Sequence, residues 1–118
     1  MKTRAQDWSR VAYACVSAEK DGQGEGKYRT SCHKMPGLIH QSGALQALVF
    51  QVARDEHGSR YVDHLARALF QDSKADHAAL IKKAQELELG PYMAFTRDLA
   101  EIAQWFRRFA QIELKGDE

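Results

Sequence analysis

Phe95-Thr96-Arg97-Asp98-Leu99-Ala100-Glu101-Ile102-Ala103-Gln104-Trp105-Phe106-Arg107-Arg108-Phe109-Ala110 is the stretch that decides the fold. At about 100° per residue, Phe95, Leu99, Ile102, Phe106 and Phe109 gather into one narrow stripe, flanked by Tyr92, Ala103 and Ala110. Arg97, Glu101, Gln104, Arg108 and Gln111 fall opposite. A stripe of that period belongs to a helix that buries one face. Trp105 lies at its border, where an amphipathic ring covers a core edge or meets a neighbour.

The same period recurs upstream. Thr3 followed by Gln6 reads as a capping box, opening a helix that ends near Lys20 with Ala5, Trp8, Val11, Ala12, Cys15 and Val16 on one side. Three glycines within Asp21–Gly26 predict a flexible loop. A short helical piece from Lys27 to Lys34 is expected next, and Pro36 suits the first position of another brief turn through Leu38 and Ile39. Ser42 is expected to cap a helix over 43–53. That helix is apolar nearly all round, as in a segment that is buried or also meets a partner. Arg54-Asp55-Glu56-His57-Gly58 reads as a break. Ser59 then caps a helix carrying Val62, Leu65, Ala66 and Leu69. Ser73 with Asp76 opens another, with Leu80, Ile81, Ala84 and Leu87, and Gly90-Pro91 gives a stop and a start. No segment alternates with period two. The expectation is an all-α, single-domain bundle of about five to six helices over residues 1–118, with a frayed tail over 115–118.

Composition agrees with one compact domain. The chain has 118 residues, 44% of them hydrophobic and 28% charged. Its formal charge of +1 excludes bulk polycation behaviour, so nucleic-acid binding would need a local patch. Residues 1–35 hold seven Lys or Arg against four Asp or Glu, whereas residues 61–118 hold eight against ten. Neither a signal-peptide pattern nor a membrane-length apolar run is visible, so the cytoplasm is expected, with Cys15 and Cys32 as reduced thiols.

A search for catalytic chemistry finds little. Cys32-His33 is not a usual chelating pair, and no CxxC, HxxxH or HExxH occurs among the two cysteines and five histidines, so no metal is expected. Asp63-His64 and Asp76-His77 sit on separate helices, a weak signal for a nuclease or hydrolase. The glycine loop lacks the strand and spacing of a phosphate cradle, and no cofactor or small-molecule substrate is expected. What remains is basic. Lys27, Arg29, His33 and Lys34 lie in one acid-free stretch with Tyr28 among them, the equipment that holds single-stranded nucleic acid by its phosphates. Arg107-Arg108 and Lys82-Lys83 form smaller clusters.

The run Lys34-Met35-Pro36-Gly37-Leu38-Ile39-His40-Gln41-Ser42-Gly43-Ala44-Leu45-Gln46-Ala47-Leu48-Val49-Phe50 resembles a pattern of the Cmr small-subunit family of type III-B CRISPR effectors. Ser42 stands where that family commonly has Asn, and Ala44 where it has Leu. Arg4-Ala5-Gln6, Tyr61-Val62-Asp63-His64-Leu65, Thr96-Arg97-Asp98-Leu99 and Trp105-Phe106-Arg107-Arg108-Phe109-Ala110 resemble further family segments, with Asp98 for Glu and Arg107 for Lys. The resemblance spans nearly the whole chain through packing motifs rather than catalytic ones.

It implies a non-catalytic helical scaffold of an RNA-guided antiviral ribonucleoprotein, stacked as a minor filament beside backbone subunits and further copies of itself. The partners implied are those subunits together with crRNA and target RNA. Lys27, Arg29, Lys34, Arg107 and Arg108 are the expected RNA-backbone contacts, and Trp105 and Phe50 the expected partner-interface residues. A helical protein-interaction adaptor with no nucleic-acid contact is the alternative reading.

Overall fold

The computed structural model describes residues 1–116, and Asp117 and Glu118 of the expected tail lie outside the described residues. Six helices follow in order: α1 Arg4–Ala18, α2 Glu25–Ser42, α3 Ala44–Arg54, α4 Glu56–Phe70, α5 His77–Glu86 and α6 Leu89–Glu113. No strand occurs among the described residues, and no helix there is long and apolar enough to cross a membrane. α6 is the longest helix. α1 runs parallel to it, tied by Arg4–Asp98 at 2.8 Å and by Tyr13 edge-on to Phe109 at 5.3 Å. α2 runs antiparallel, since Lys115 N–H donates to Glu25 at one end and the Tyr92 hydroxyl receives Leu45 N–H at the other.

The core follows the expected stripe. Phe95, Leu99, Ile102 and Phe106 are buried, and Tyr61 of α4 meets Phe106 edge-on at 5.6 Å and Tyr28 of α2 at 5.8 Å. This row of rings joins three helices. Edge-to-face contacts of that kind add about 0.5–1.5 kcal/mol each beyond area burial. A bidentate pair, Arg60 to Glu19 at 2.7 and 2.9 Å, fastens the start of α4 to the end of α1.

Local signals placed some helix ends correctly and others not. The Thr3/Gln6 capping box is present. The two pieces expected around Pro36 are instead one 18-residue helix with Pro36 inside it. Tyr28, Cys32, Met35 and Ile39 form one buried stripe across the proline, and burying it outweighs the loss of the residue 36 N–H. Ser42 ends α2 rather than capping α3. Gly43, at φ +84°, both closes α2 and opens α3, a backbone state that glycine adopts freely.

The expected break over 54–58 shrinks to Asp55 alone, whose carboxylate accepts Gly58 N–H at 2.8 Å; Asp55, not Ser59, caps α4. That bond holds the Asp55 carboxyl below its ordinary range. Asp76 caps α5 through Ala79 N–H. α6 starts at Leu89, with Gly90-Pro91 in its first turn.

Gln51 is a polar residue in this core. It is fully buried in α3, its Nε2 donating to the Ser31 carbonyl at 3.0 Å while its Oε1 meets no hydrogen-bond partner. The Ser31 carbonyl lies inside α2, where the helix ladder already engages it. Gln51→Met removes an orphaned acceptor and keeps the volume, so stability is expected to stay within about 1 kcal/mol of wild type, shifted upward. Urea unfolding checks this. A loss above about 2 kcal/mol would mean that the amide bond to Ser31 outweighs the orphaned oxygen.

Candidate nucleic-acid interface

The basic residues of α2 divide between its two flanks. Lys27 and Lys34, seven residues apart, are exposed on the side of Ser31. That side faces α3, because Arg54 of α3 donates to the Lys27 carbonyl at 3.2 Å and to the Ser31 hydroxyl. Arg29 falls on the other flank. Its guanidinium lies so close to Gly116 that a Cβ there would stand 2.8 Å from Nη1.

On α6 the two neighbouring arginines also separate. Asp98 and Phe109 mark the flank that meets α1. Arg107 falls on the opposite flank, toward α2, and is half-buried. Arg29 and Arg107 therefore share the α2–α6 seam, each with a buried Nε that has no hydrogen-bond partner. Arg108 is exposed beside Trp105, with Glu101 and Gln104, around a depression of about 210 Å³. Trp105 is half-buried and stacked on Phe109 at 5.8 Å.

The five expected phosphate contacts thus form three groups rather than one patch: the Lys27/Lys34 rim, the Arg29/Arg107 seam and Arg108. Lys82 and Lys83 are exposed on α5, where Lys83 reaches the Phe70 ring at 5.7 Å.

The aromatic residue beside these cations is not the one expected. Tyr28 is fully buried, and its hydroxyl lies 2.6 Å from His64 Nδ1. Phe50 takes its place at the surface, 47% exposed next to exposed Val49. Arg54 was also missed. Its guanidinium clamps α3 onto α2 and so fixes Phe50 relative to the lysines. The signal that could have found this surface is charge: from Gly26 to Arg54 the sequence has no Asp or Glu, so α3 and all of α2 beyond Glu25 lack carboxylates.

The catalytic candidates have structural partners. Asp63 accepts both the His77 backbone N–H and its ring Nδ1–H, each at 2.7 Å, which holds the start of α5. Burial pushes the Cys15 thiol up to about 11 against the opposing Arg67 charge, and raises buried Cys32 well above its ordinary value, so neither is an activated nucleophile. Among the described residues, no group of three or more His, Cys, Asp or Glu could hold a metal.

A family model described as CRISPR-associated protein (Cas_Cmr5) matches residues 4–113 of this helical chain. The chain belongs to the Cmr5 family. A Cmr5-family relative, the CRISPR system Cmr subunit Cmr5 of Thermus thermophilus, is 38% identical over 112 residues, 94% of this chain and 96% of its own length. The X-ray crystal structure of a CRISPR-associated Cmr5 family protein from Thermus thermophilus matches with a TM-score of 0.90 and 37% identity, covering 97% of this chain and 100% of that one. The Cmr5 match covers all six helices and with them Lys27, Arg29, Lys34, Arg107 and Arg108.

Proposed function

We propose that this chain is the non-catalytic small subunit of a Cmr-type, RNA-guided ribonucleoprotein effector working in the cytoplasm. Copies stack side by side as a minor filament along the backbone subunits and hold the guide and target RNA by phosphate contacts. The observation that carries the reading is a cation-bearing α2–α3 surface, with no Asp or Glu from Gly26 to Arg54, on a member of the Cmr5 family. Phosphate contacts position RNA without reading its sequence, which suits an effector whose specificity comes from base pairing. At a net charge of +1, one copy attracts RNA weakly, and an array accumulates the attraction.

The test is the Lys27→Glu/Arg29→Glu/Lys34→Glu chain assembled with the other effector subunits and crRNA. Target-RNA retention is expected to fall about tenfold, with the salt slope reduced by about 2 for three lost single-strand contacts per copy. Filter-binding titrations at several salt concentrations measure both. Unchanged affinity and slope would remove these residues from RNA binding. The near-neutral charge favours a second reading, a helical adaptor that contacts only protein. Purified complexes lacking crRNA would favour that adaptor.

A further inference from the structure

We infer that the α2–α3 rim is a track for an unpaired RNA segment, with the Phe50 ring as a stacking platform level with Lys34, and Lys34 and Lys27 holding successive stretches of its phosphates. This inference rests on the RNA-binding reading above and goes further, by naming the strandedness of the ligand and the side chain that selects it.

The registration of the two helices carries the argument. α2 and α3 run antiparallel, with Arg54 against Lys27 and Ser31, and Gln51 against Ser31 and Met35. Phe50, one residue before Gln51, therefore stands level with Lys34, on the outer edge of the seam. Lys27 and Lys34 are about 10 Å apart along the axis, two helical turns. Neither lysine has an ion-pair partner among the described residues. Glu25 accepts Lys115 N–H, Asp55 caps α4 and lies 3.7 Å from Arg54, and Glu56 lines the same depression as Lys27 without reaching ion-pair distance of it.

Charge and size select the ligand. A rim with two unpaired lysines and no Asp or Glu from Gly26 to Arg54 fits a polyanion. A protein partner would bury about 800 Å² on this side, and the rim offers only Phe50 and Val49 as large apolar groups. A perfectly paired RNA duplex presents backbone and a shallow groove, with its base faces hidden, so the ring has nothing to stack upon. An unpaired strand offers both phosphates and base faces.

The test uses the full chain at low salt with a fluorescein-labelled oligouridylate and a blunt RNA duplex of equal length, read by fluorescence anisotropy. Phe50→Leu keeps an apolar side chain of similar reach and removes the ring. It is expected to weaken single-strand binding about tenfold, leave duplex binding unchanged and keep the salt slope, while Phe50→Trp restores affinity. Circular dichroism melting confirms that each variant is folded. Phe50→Leu binding the oligouridylate like wild type would overturn the inference. So would a Phe50→Leu defect confined to co-assembly with protein subunits, which would make the ring a protein contact. If Lys27→Glu/Lys34→Glu weakens binding of both RNAs while Phe50→Leu changes neither, phosphate binding stands and the stacking track falls. If wild type binds neither RNA at low salt, the stacking track falls, while the RNA-binding reading is decided by the triple lysine–arginine variant in the assembled effector.

Discussion

Gly58→Ala is expected to destabilise the protein by about 3 kcal/mol or more, a drop of roughly 10–15 °C in melting temperature for a chain of this size. An added Cβ would stand 2.1 Å from the Gln51 carbonyl oxygen and 3.0 Å from its carbon. Both atoms are backbone of α3, which cannot swing aside as a flexible side chain would. The approach is enforced because a single residue, Asp55, joins α3 to α4, pressing the first turn of α4 onto the last turn of α3. Moving α4 away would also break the Asp55–Gly58 cap.

Gly37 supplies the control. It lies in α2, exposed, with nothing within 4 Å of its would-be Cβ, so Gly37→Ala is expected to stabilise by about 0.5–1 kcal/mol through the ordinary helix preference. Thermal melts of the two variants should move in opposite directions. A Gly58→Ala protein as stable as wild type would show that the α3–α4 turn can open without penalty.

Gly58 also shows which features sequence reading could reach. Four polar residues and a glycine in a row, Arg54 to Gly58, looked like a loop, yet only Asp55 leaves helical geometry. A glycine needed for close packing carries no local mark that separates it from a glycine in a linker. The α6 stripe and the Thr3 capping box were readable because each is a signal within one helix.

Pro36 misled for an energetic reason. A proline inside a helix costs about 3 kcal/mol. Burying Met35 and Ile39 contributes about 1.5–3 kcal/mol each, and Tyr28 and Cys32 extend the same stripe. Tertiary burial wins, and the helix runs through. That stripe, at spacings of four, three and four residues, was present in the sequence and could have withdrawn Tyr28 from the surface. The exposure of Phe50 fits a partner-interface residue, but which way it faces was not legible, because α3 is apolar nearly all round and only the positions of α2, α4 and α5 decide which side is covered. The separation of Arg29 from Lys27 and Lys34 was legible by contrast, since all three fall within the helical piece expected over 27–34, where Arg29 lies on another face.

Lowering the pH from 7 to about 4 is expected to remove about 3 kcal/mol of folding stability through His64 alone. The imidazole is buried, its Nδ1 2.6 Å from the Tyr28 hydroxyl. Burial is the main cause that pushes its pKa down from 6.5 to about 4. Arg67 and Arg60 add to the fall, while Glu19 and Asp63 oppose it. Burial holds the Tyr28 phenol protonated far above its ordinary range, so the pair is neutral at pH 7 and shares one proton between hydroxyl and ring.

Between pH 6.5 and 4 the unfolded chain binds a proton that the folded chain does not. The stabilisation is therefore complete above pH 6.5 and is lost as the pH falls to about 4, at up to about 1.4 kcal/mol per pH unit. His64→Asn removes the titrating group and keeps a polar atom near the Tyr28 hydroxyl. It is expected to be less stable than wild type at pH 7, with a flatter dependence across the same window. Urea midpoints at half-unit pH steps for both proteins measure the difference in slope. If wild type lost no stability between pH 7 and 4.5, or if His64→Asn lost as much, the buried imidazole would not be the group that links this fold to protons.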